Sequence, residues 1–238
     1  MLKRCFSLPP RLQTVADLVP QSKSLADIGT DHGRLPVWLL LHDLIPHAVA
    51  TDLRPGPLSK AKDLAKRWEI GADKLSFRLC DGLTSLSPQD AETIVIAGMG
   101  GETIAEIMAD AAWTADPGHC FILQAMSGMD GLRRYLSGAG FRISKEILVE
   151  EGNTLYIVLY VEPEGGRKLT EGEIWVGQQN RDDPLRGRYL EQELFKLRRA
   201  VAGLERSQRP EDHEKKKWYE LAAWEVEQMK KEWDSWQL

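Results

Sequence analysis

Leu25-Ala26-Asp27-Ile28-Gly29-Thr30-Asp31-His32-Gly33 runs from an apolar strand straight into a turn of Gly, Asp and His. A buried strand, a glycine-bearing loop and a helix pattern from Gly33 form the opening unit of a nucleotide-binding α/β sheet. In such units glycines let the backbone approach a ligand and the helix N-terminus faces it. The loop lacks G-x-G-x-x-G, which argues against a nicotinamide enzyme, and its two carboxylates would repel a pyrophosphate. The same carboxylates attract the ammonium and sulfonium of S-adenosyl-L-methionine (SAM). The charge pattern therefore favours SAM over NAD or ATP.

Outward from this loop, strand and helix signals alternate. Strands are predicted at 23–29, 47–53, 74–80, 92–98, 119–125, 141–150 and 155–161, in β-α-β order with short turns. Gly128, Gly138 and Gly140 bracket a short helix, and Glu151-Gly152-Asn153 between the last two strands suits an antiparallel hairpin. The fold class is α/β: a Rossmann-like seven-stranded sheet of class I SAM-dependent methyltransferase topology. Ligands of such sheets lie beyond the carboxyl ends of the strands.

Each of the first four strands delivers a polar or glycine-rich turn to that edge. Asp27, Ile28, Gly29 and Thr30 close the first, Asp52 and Leu53 the second, Asp81 and Gly82 the third, and Ala97, Gly98 and Met99 the fourth. All are candidate cofactor contacts. Asp52 stands 23 residues after Gly29, near the spacing at which a carboxylate reaches ribose hydroxyls, although a helix cap or turn aspartate reads the same. Asp81 is placed to accept from an adenine amino group; an ordinary Asp-Gly turn is the alternative. Gly98–Gly101 permits close backbone approach ahead of a helix from Glu102, or else provides loop flexibility alone.

Charge density changes near residue 163: residues 1–162 hold 16 Lys/Arg and 20 Asp/Glu, and the remaining 76 hold 15 and 16. Pro163-Glu164-Gly165-Gly166-Arg167-Lys168 is a turn-rich hinge, so the expected domains are 1–162 and 163–238. Beyond it, Leu190, Leu194, Leu197, Val201 and Leu204 form one heptad seam and Ala222, Val226, Met229, Trp233 and Trp236 a second. With Ser207-Gln208-Arg209-Pro210 as breaker, an antiparallel helical coiled-coil hairpin is expected. Arg198-Arg199 and Lys215-Lys216-Lys217 either grip phosphates or line a solvated face. The four C-terminal tryptophans and Tyr219 read as packing residues.

The chain has 238 residues, 42% of them hydrophobic, enough for one core and an appendage. Three widely spaced cysteines make neither a disulfide framework nor a metal motif, which fits a reducing cytoplasm. No leader or membrane-spanning run is expected, and no metal. The net charge of −5 argues against a generic nucleic-acid coat, but a local basic face can still bind phosphates.

Taken together, Ala26-Asp27-Ile28-Gly29-Thr30-Asp31-His32 with Leu35-Pro36, Asp81-Gly82-Leu83 and Ile94-Val95-Ile96-Ala97-Gly98-Met99-Gly100-Gly101 resemble the bacterial tRNA (adenine-22-N1) methyltransferases, the TrmK-like group. Arg11-Leu12, Leu123-Gln124, Leu132-Arg133 and Leu169-Thr170 extend the resemblance over nearly the whole chain. It implies SAM as cofactor, tRNA as partner and methyl transfer to N1 of adenine 22. The chain departs from the group at Ala125-Met126 and at Glu151-Gly152-Asn153, both on the acceptor side. Other readings are a SAM-dependent enzyme acting on another RNA site or a small molecule, and a catalytically silent RNA-binding protein.

Adenine N1 carries its own lone pair, so alignment of donor and acceptor dominates, and a carboxylate near the base would stabilise the developing cation. Asp31 is the candidate, with His32 beside it. The alternative role for Asp31 is the cap of the helix from Gly33. Arg11, Arg34, Arg133 and Arg134 are candidate RNA contacts near the mouth. A monomer or weak homodimer is expected.

Overall fold

The computed structural model describes residues 6–205 and 209–237. Seven strands form one sheet in the order β3-β2-β1-β4-β5-β7-β6. They are β1 Leu25–Ile28, β2 Ala48–Asp52, β3 Leu75–Leu79, β4 Thr93–Gly100, β5 Cys120–Ser127, β6 Arg142–Glu151 and β7 Thr154–Glu162. The first five run parallel, while β7 is antiparallel to both β5 and β6. All seven expected strands form. The last hairpin turns on two residues between Glu151 and Thr154, with Gly152 at φ +63°.

Strand alternation separates two cores. Leu25, Val95, Ile122 and Val158 point to one face, where they meet α1 (Pro10–Leu18), α2 (Arg34–Leu41) and α3 (Pro55–Arg67). Their neighbours Ala26, Ile94, Phe121 and Leu159 point to the other, against α4 (Gly101–Ala109) and α5 (Met129–Gly138). The reversal of strand order between β1 and β4 opens a crevice at their carboxyl ends.

α6 (Glu171–Val176), α7 (Arg186–Leu204) and α8 (Pro210–Trp236) continue the α4–α5 core. α6 opens on a capping box in which the Thr170 hydroxyl accepts from Glu173 N–H and the Glu173 carboxylate accepts from Thr170 N–H. α7 and α8 pack antiparallel, with Glu205 beside Lys216 and Glu191 beside Lys230. Leu190, Leu194, Leu197, Ala222 and Val226 are buried in the seam. Of the breaker, Ser207 and Gln208 lie outside the described residues.

Two of the four tryptophans depart from the packing expectation: Trp218 and Trp224 are 62% and 60% exposed. Trp224 follows Ala222 by two positions and so projects from the opposite side of α8. Trp218 lies nearer the loop end, where Val201 and Leu204 are also only partly buried.

Candidate active site

A cavity of about 1140 Å³ opens at the carboxyl ends of β1, β2, β3 and β4 and is roofed by Ser7 to Leu12. Every residue expected at the cofactor lines it: Asp27, Ile28, Gly29, Thr30, Asp52, Leu53, Asp81, Gly82, Ala97, Gly98 and Met99. Asp31, His32, Arg11 and Arg34 border it too.

Asp27 is buried at 6% exposure and accepts a hydrogen bond from Thr30 Oγ1 at 2.5 Å. Burial pushes its carboxyl up to about 6; the Thr30 hydroxyl opposes this and the Asp52 charge adds to it. A buried carboxylate without a cation is costly, and an entering ammonium would relieve it. Asp52, also buried, accepts from the N–H groups of Asp31 at 3.2 Å and Arg54 at 2.9 Å. These bonds fix the carboxylate at the end of β2. The Asp52 and cofactor loops are also joined by Thr30 N–H donating to Thr51 O at 2.8 Å.

The loop between β1 and α2 winds tightly. Gly29 takes φ +69°, with the Met99 methyl lying where a side chain would stand, and Gly33 takes φ +67° against Ala61 of α3. Between them Asp31, with φ +51°, adopts the left-handed conformation that costs a non-glycine residue roughly 1 kcal/mol. Gly33 is the N-cap of α2, and no side chain bonds to that terminus. Asp31 is therefore not the helix cap that the sequence allowed. Its side chain is 67% exposed, with Oδ2 3.7 Å from His32 Nδ1. His32 Nε2 is 3.1 Å from Lys60 Nζ. Since an ammonium only donates, Nε2 accepts there, and a neutral ring carries its proton on Nδ1 toward Asp31.

Leu53, 63% exposed, and Ile107 of α4 supply apolar walls near Asp81. Gly82 (φ +50°) brings the β3 turn against Ile107, 3.0 Å from where its Cβ would lie. Ile107 and Thr103 were missed in the sequence, although their i, i+4 spacing on the helix after the glycine run puts both on one face. The glycine run itself is not a free loop. β4 continues to Gly100 through an irregularity at Ala97 and Met99, α4 starts at Gly101, and Gly98 N–H donates to Gln124 Oε1 at 3.2 Å.

The four arginines divide. Arg11 Nη1 donates to Gln124 Oε1 at 2.5 Å, its backbone N–H donates to Glu151 Oε2 at 3.0 Å, and its guanidinium lies 5.6 Å from the Tyr156 ring centre. Arg34 Nη2 donates to Ser7 O at 2.9 Å and so ties down the cavity roof. Arg133 is wholly buried. Its Nε donates to Glu146 at 2.8 Å and its Nη1 to the carbonyls of Ile174 and Trp175. Its reading as an RNA contact is corrected: an arginine with no exposed surface, its Nε and Nη1 taken by Glu146 and the carbonyls of α6, joins α5 to α6. Arg134 does not line the cavity either, because its fork is closed on both Glu171 oxygens at 2.9 and 2.7 Å.

The donor set fits SAM: Asp27 for an ammonium, Asp52 for vicinal hydroxyls, Leu53, Ile107 and Asp81 for an adenine, and glycine backbone for close approach. Two buried polar atoms at the cavity, Thr51 Oγ1 and Arg11 Nε, lack a hydrogen-bond partner that a polar ligand would provide.

A methyltransferase domain model matches residues 8–159. The tRNA (adenine(22)-N(1))-methyltransferase of Bacillus subtilis is 33% identical over 157 residues, 66% of this chain, and the chain spans 66% of that relative's length. The crystal structure of the B. subtilis m1A22 tRNA methyltransferase TrmK superposes with a TM-score of 0.83 at 26% identity, over 94% of this chain and 99% of that one. A putative tRNA (m1A22) methyltransferase of Streptococcus pneumoniae in complex with S-adenosyl-L-methionine gives 0.78 at 28% identity, over 92% and 98%. No described helix is long and apolar enough to cross a membrane.

Proposed function

The chain belongs to the methyltransferase-domain family, in its TrmK-like group, and on that premise we propose that it methylates N1 of adenine 22 in tRNA with SAM as donor. The observation that carries this reading is the convergence of Asp27, Asp52 and Asp81, from three successive strand ends, on one cavity with an arginine-bearing roof. A scaffold has no physical reason to bury an uncompensated Asp27 there.

SAM supplies a methyl group already activated by a sulfonium. The chain's task is then orientation, a contribution of about 7–11 kcal/mol for well-aligned reactants. We assign Asp27 to the donor's ammonium, Asp52 to its ribose and Asp81 with Leu53 and Ile107 to its adenine. Asp31 and His32 stand on the accessible side, where a carboxylate stabilises the positive charge that develops on the base. His32, with Nδ1 3.7 Å from Oδ2 of Asp31, flanks that carboxylate at the mouth. Because N1 lies on the pairing edge, the base must enter unpaired or flipped. Arg11, held on Gln124 and Tyr156, borders the acceptor end and contacts the entering nucleotide.

Residues 1–162 serve as the catalytic unit and 163–238 as an appended hairpin, working on tRNA in the cytoplasm. Methylation of a tRNA panel, including a transcript with adenine 22 replaced, tests the reading. Transfer should vanish with the replacement and appear as N1-methyladenosine by mass spectrometry. Transfer that ignores the replacement overturns the position, and absence of SAM binding overturns the enzyme.

A further inference from the structure

About half of the hairpin's cations are spent on its own carboxylates, while Arg199 and Lys215 lie over the rings of Phe195 and Tyr219 and Lys217 has no ion pair among the described residues. Arg198 pairs with Glu227, Lys216 with Glu205 and Glu220, and Lys230 with Glu191 and Asp234. On the opposite layer of the molecule α3 is different. Arg54 at its N-cap and Lys60, Lys62, Lys66 and Arg67 along it are all exposed and form no ion pair among the described residues; Asp63 is the one carboxylate among them. A chain with a net charge of −5 thus carries, between Arg54 and Arg67, five cations without an ion pair among the described residues.

Helix stability does not account for it. Lys66 and Arg67 in the last turn suit the helix dipole, but the first turn holds no acidic residue and a cation occupies the N-cap, where positive charge is unfavourable. Lys62 and Lys66 are like charges four apart, which repel. The basic face also leads somewhere. Arg54 lines the cavity and Lys60 touches His32 at 3.1 Å, so the surface begins at the mouth and runs down α3.

We propose that α3 is the surface along which the phosphodiester backbone of the RNA substrate lies, with Lys60 and Arg54 at the cavity mouth and Lys62, Lys66 and Arg67 farther out. This rests on the tRNA reading above. Point charges on flexible stems hold a polyanion without reading sequence, which positions the target nucleotide and leaves base choice to the cavity. Each phosphate neutralised releases counterions, so each contact adds roughly 0.7–0.9 to the slope of log affinity against log salt.

The test is the K62Q/K66Q/R67Q variant of the full chain, titrated with tRNA over a salt series and with SAM by calorimetry. Expected are weaker tRNA binding, a salt slope reduced by about 2, a higher KM for tRNA, and unchanged SAM affinity. Unchanged tRNA affinity and slope, with the parent protein still methylating tRNA, overturns the α3 surface and leaves the proposed function standing. A parent protein that binds no tRNA at any salt overturns both.

Discussion

Thr30 Oγ1 donates to Asp27 Oδ2 at 2.5 Å inside the cavity, a neutral donor set against a buried negative charge. It does not compensate fully, because burial still holds the Asp27 carboxyl up at about 6 against an ordinary 3.8. Between those values the folded protein binds the proton that the unfolded chain has released. The contribution of Asp27 to the stability of the ligand-free protein therefore falls as pH rises from about 4 to 6, by roughly 3 kcal/mol for a shift of about two units, and levels off above. SAM brings the missing cation only to the ionised form. Its stabilisation, read as the shift in Tm on adding SAM, should be larger at pH 8 than at pH 5. D27N should raise the Tm of the free protein at pH 8 while weakening SAM at least tenfold by calorimetry. A pH-independent shift would sink the assignment.

Asp31 is expected to separate binding from chemistry. D31A should keep SAM affinity, since Asp52 receives only the backbone N–H of residue 31, and should lose methyl transfer to tRNA by a hundredfold or more. D31G should be equally inactive yet more stable by about 1 kcal/mol, because φ +51° is free for glycine. Normal turnover by either variant removes the proposed role.

Arg133 and Glu146 should behave as structure. Arg133 and Arg186 between them donate to the carbonyls of Ile174, Trp175, Val176 and Gly177, and Glu146 Oε2 accepts from Gln178 N–H at 3.0 Å. Removing one partner strands a buried charge, so R133A should cost about 3–5 kcal/mol in urea unfolding. The apolar pair R133M/E146L should recover part of that loss. If R133A is near wild type in stability and defective only in tRNA binding, Arg133 acts on RNA after all.

The parallel strands could be read because each is a short apolar run with a turn residue, Gly or Asp, at or just beyond its end. The cofactor side was equally legible, since Asp27, Asp52 and Asp81 each sit within two residues of a strand end and topology gathers strand ends. Arginines defeated the reading. Nothing local distinguishes Arg133, sealed against Glu146, from Arg11 at the cavity, because burial there is decided by α6, 41 residues away. α6 itself was overlooked although Thr170-Glu171-Gly172-Glu173 spells its capping box; six residues are too few for periodicity to register. The basic face of α3 escaped because its meaning lies in the absence of partners, which only the folded arrangement reveals.

Arg11 and Gln124 bring the acceptor side to a test. Gln124 is fully buried, and its orientation is fixed because its oxygen takes both Gly98 N–H and Arg11 Nη1 while its amide nitrogen donates to Ala125 O. The guanidinium is thus anchored at one end, laid over Tyr156, and left with Nε unsatisfied. R11K keeps the charge but loses the planar fork and the stacking that define this geometry. SAM affinity should stay within twofold, while single-turnover methylation at saturating tRNA falls about 10- to 100-fold, since misplacement of the acceptor costs rate more than binding. Gln124→Glu, which keeps both accepted hydrogen bonds and adds a charge to hold Arg11 but sets its second oxygen against Ala125 O, should still lose less activity than Gln124→Leu, which orphans Gly98 N–H and Arg11 together. Equal losses in the two Gln124 variants, or wild-type rates in R11K, would show that the anchored guanidinium takes no part in placing the base.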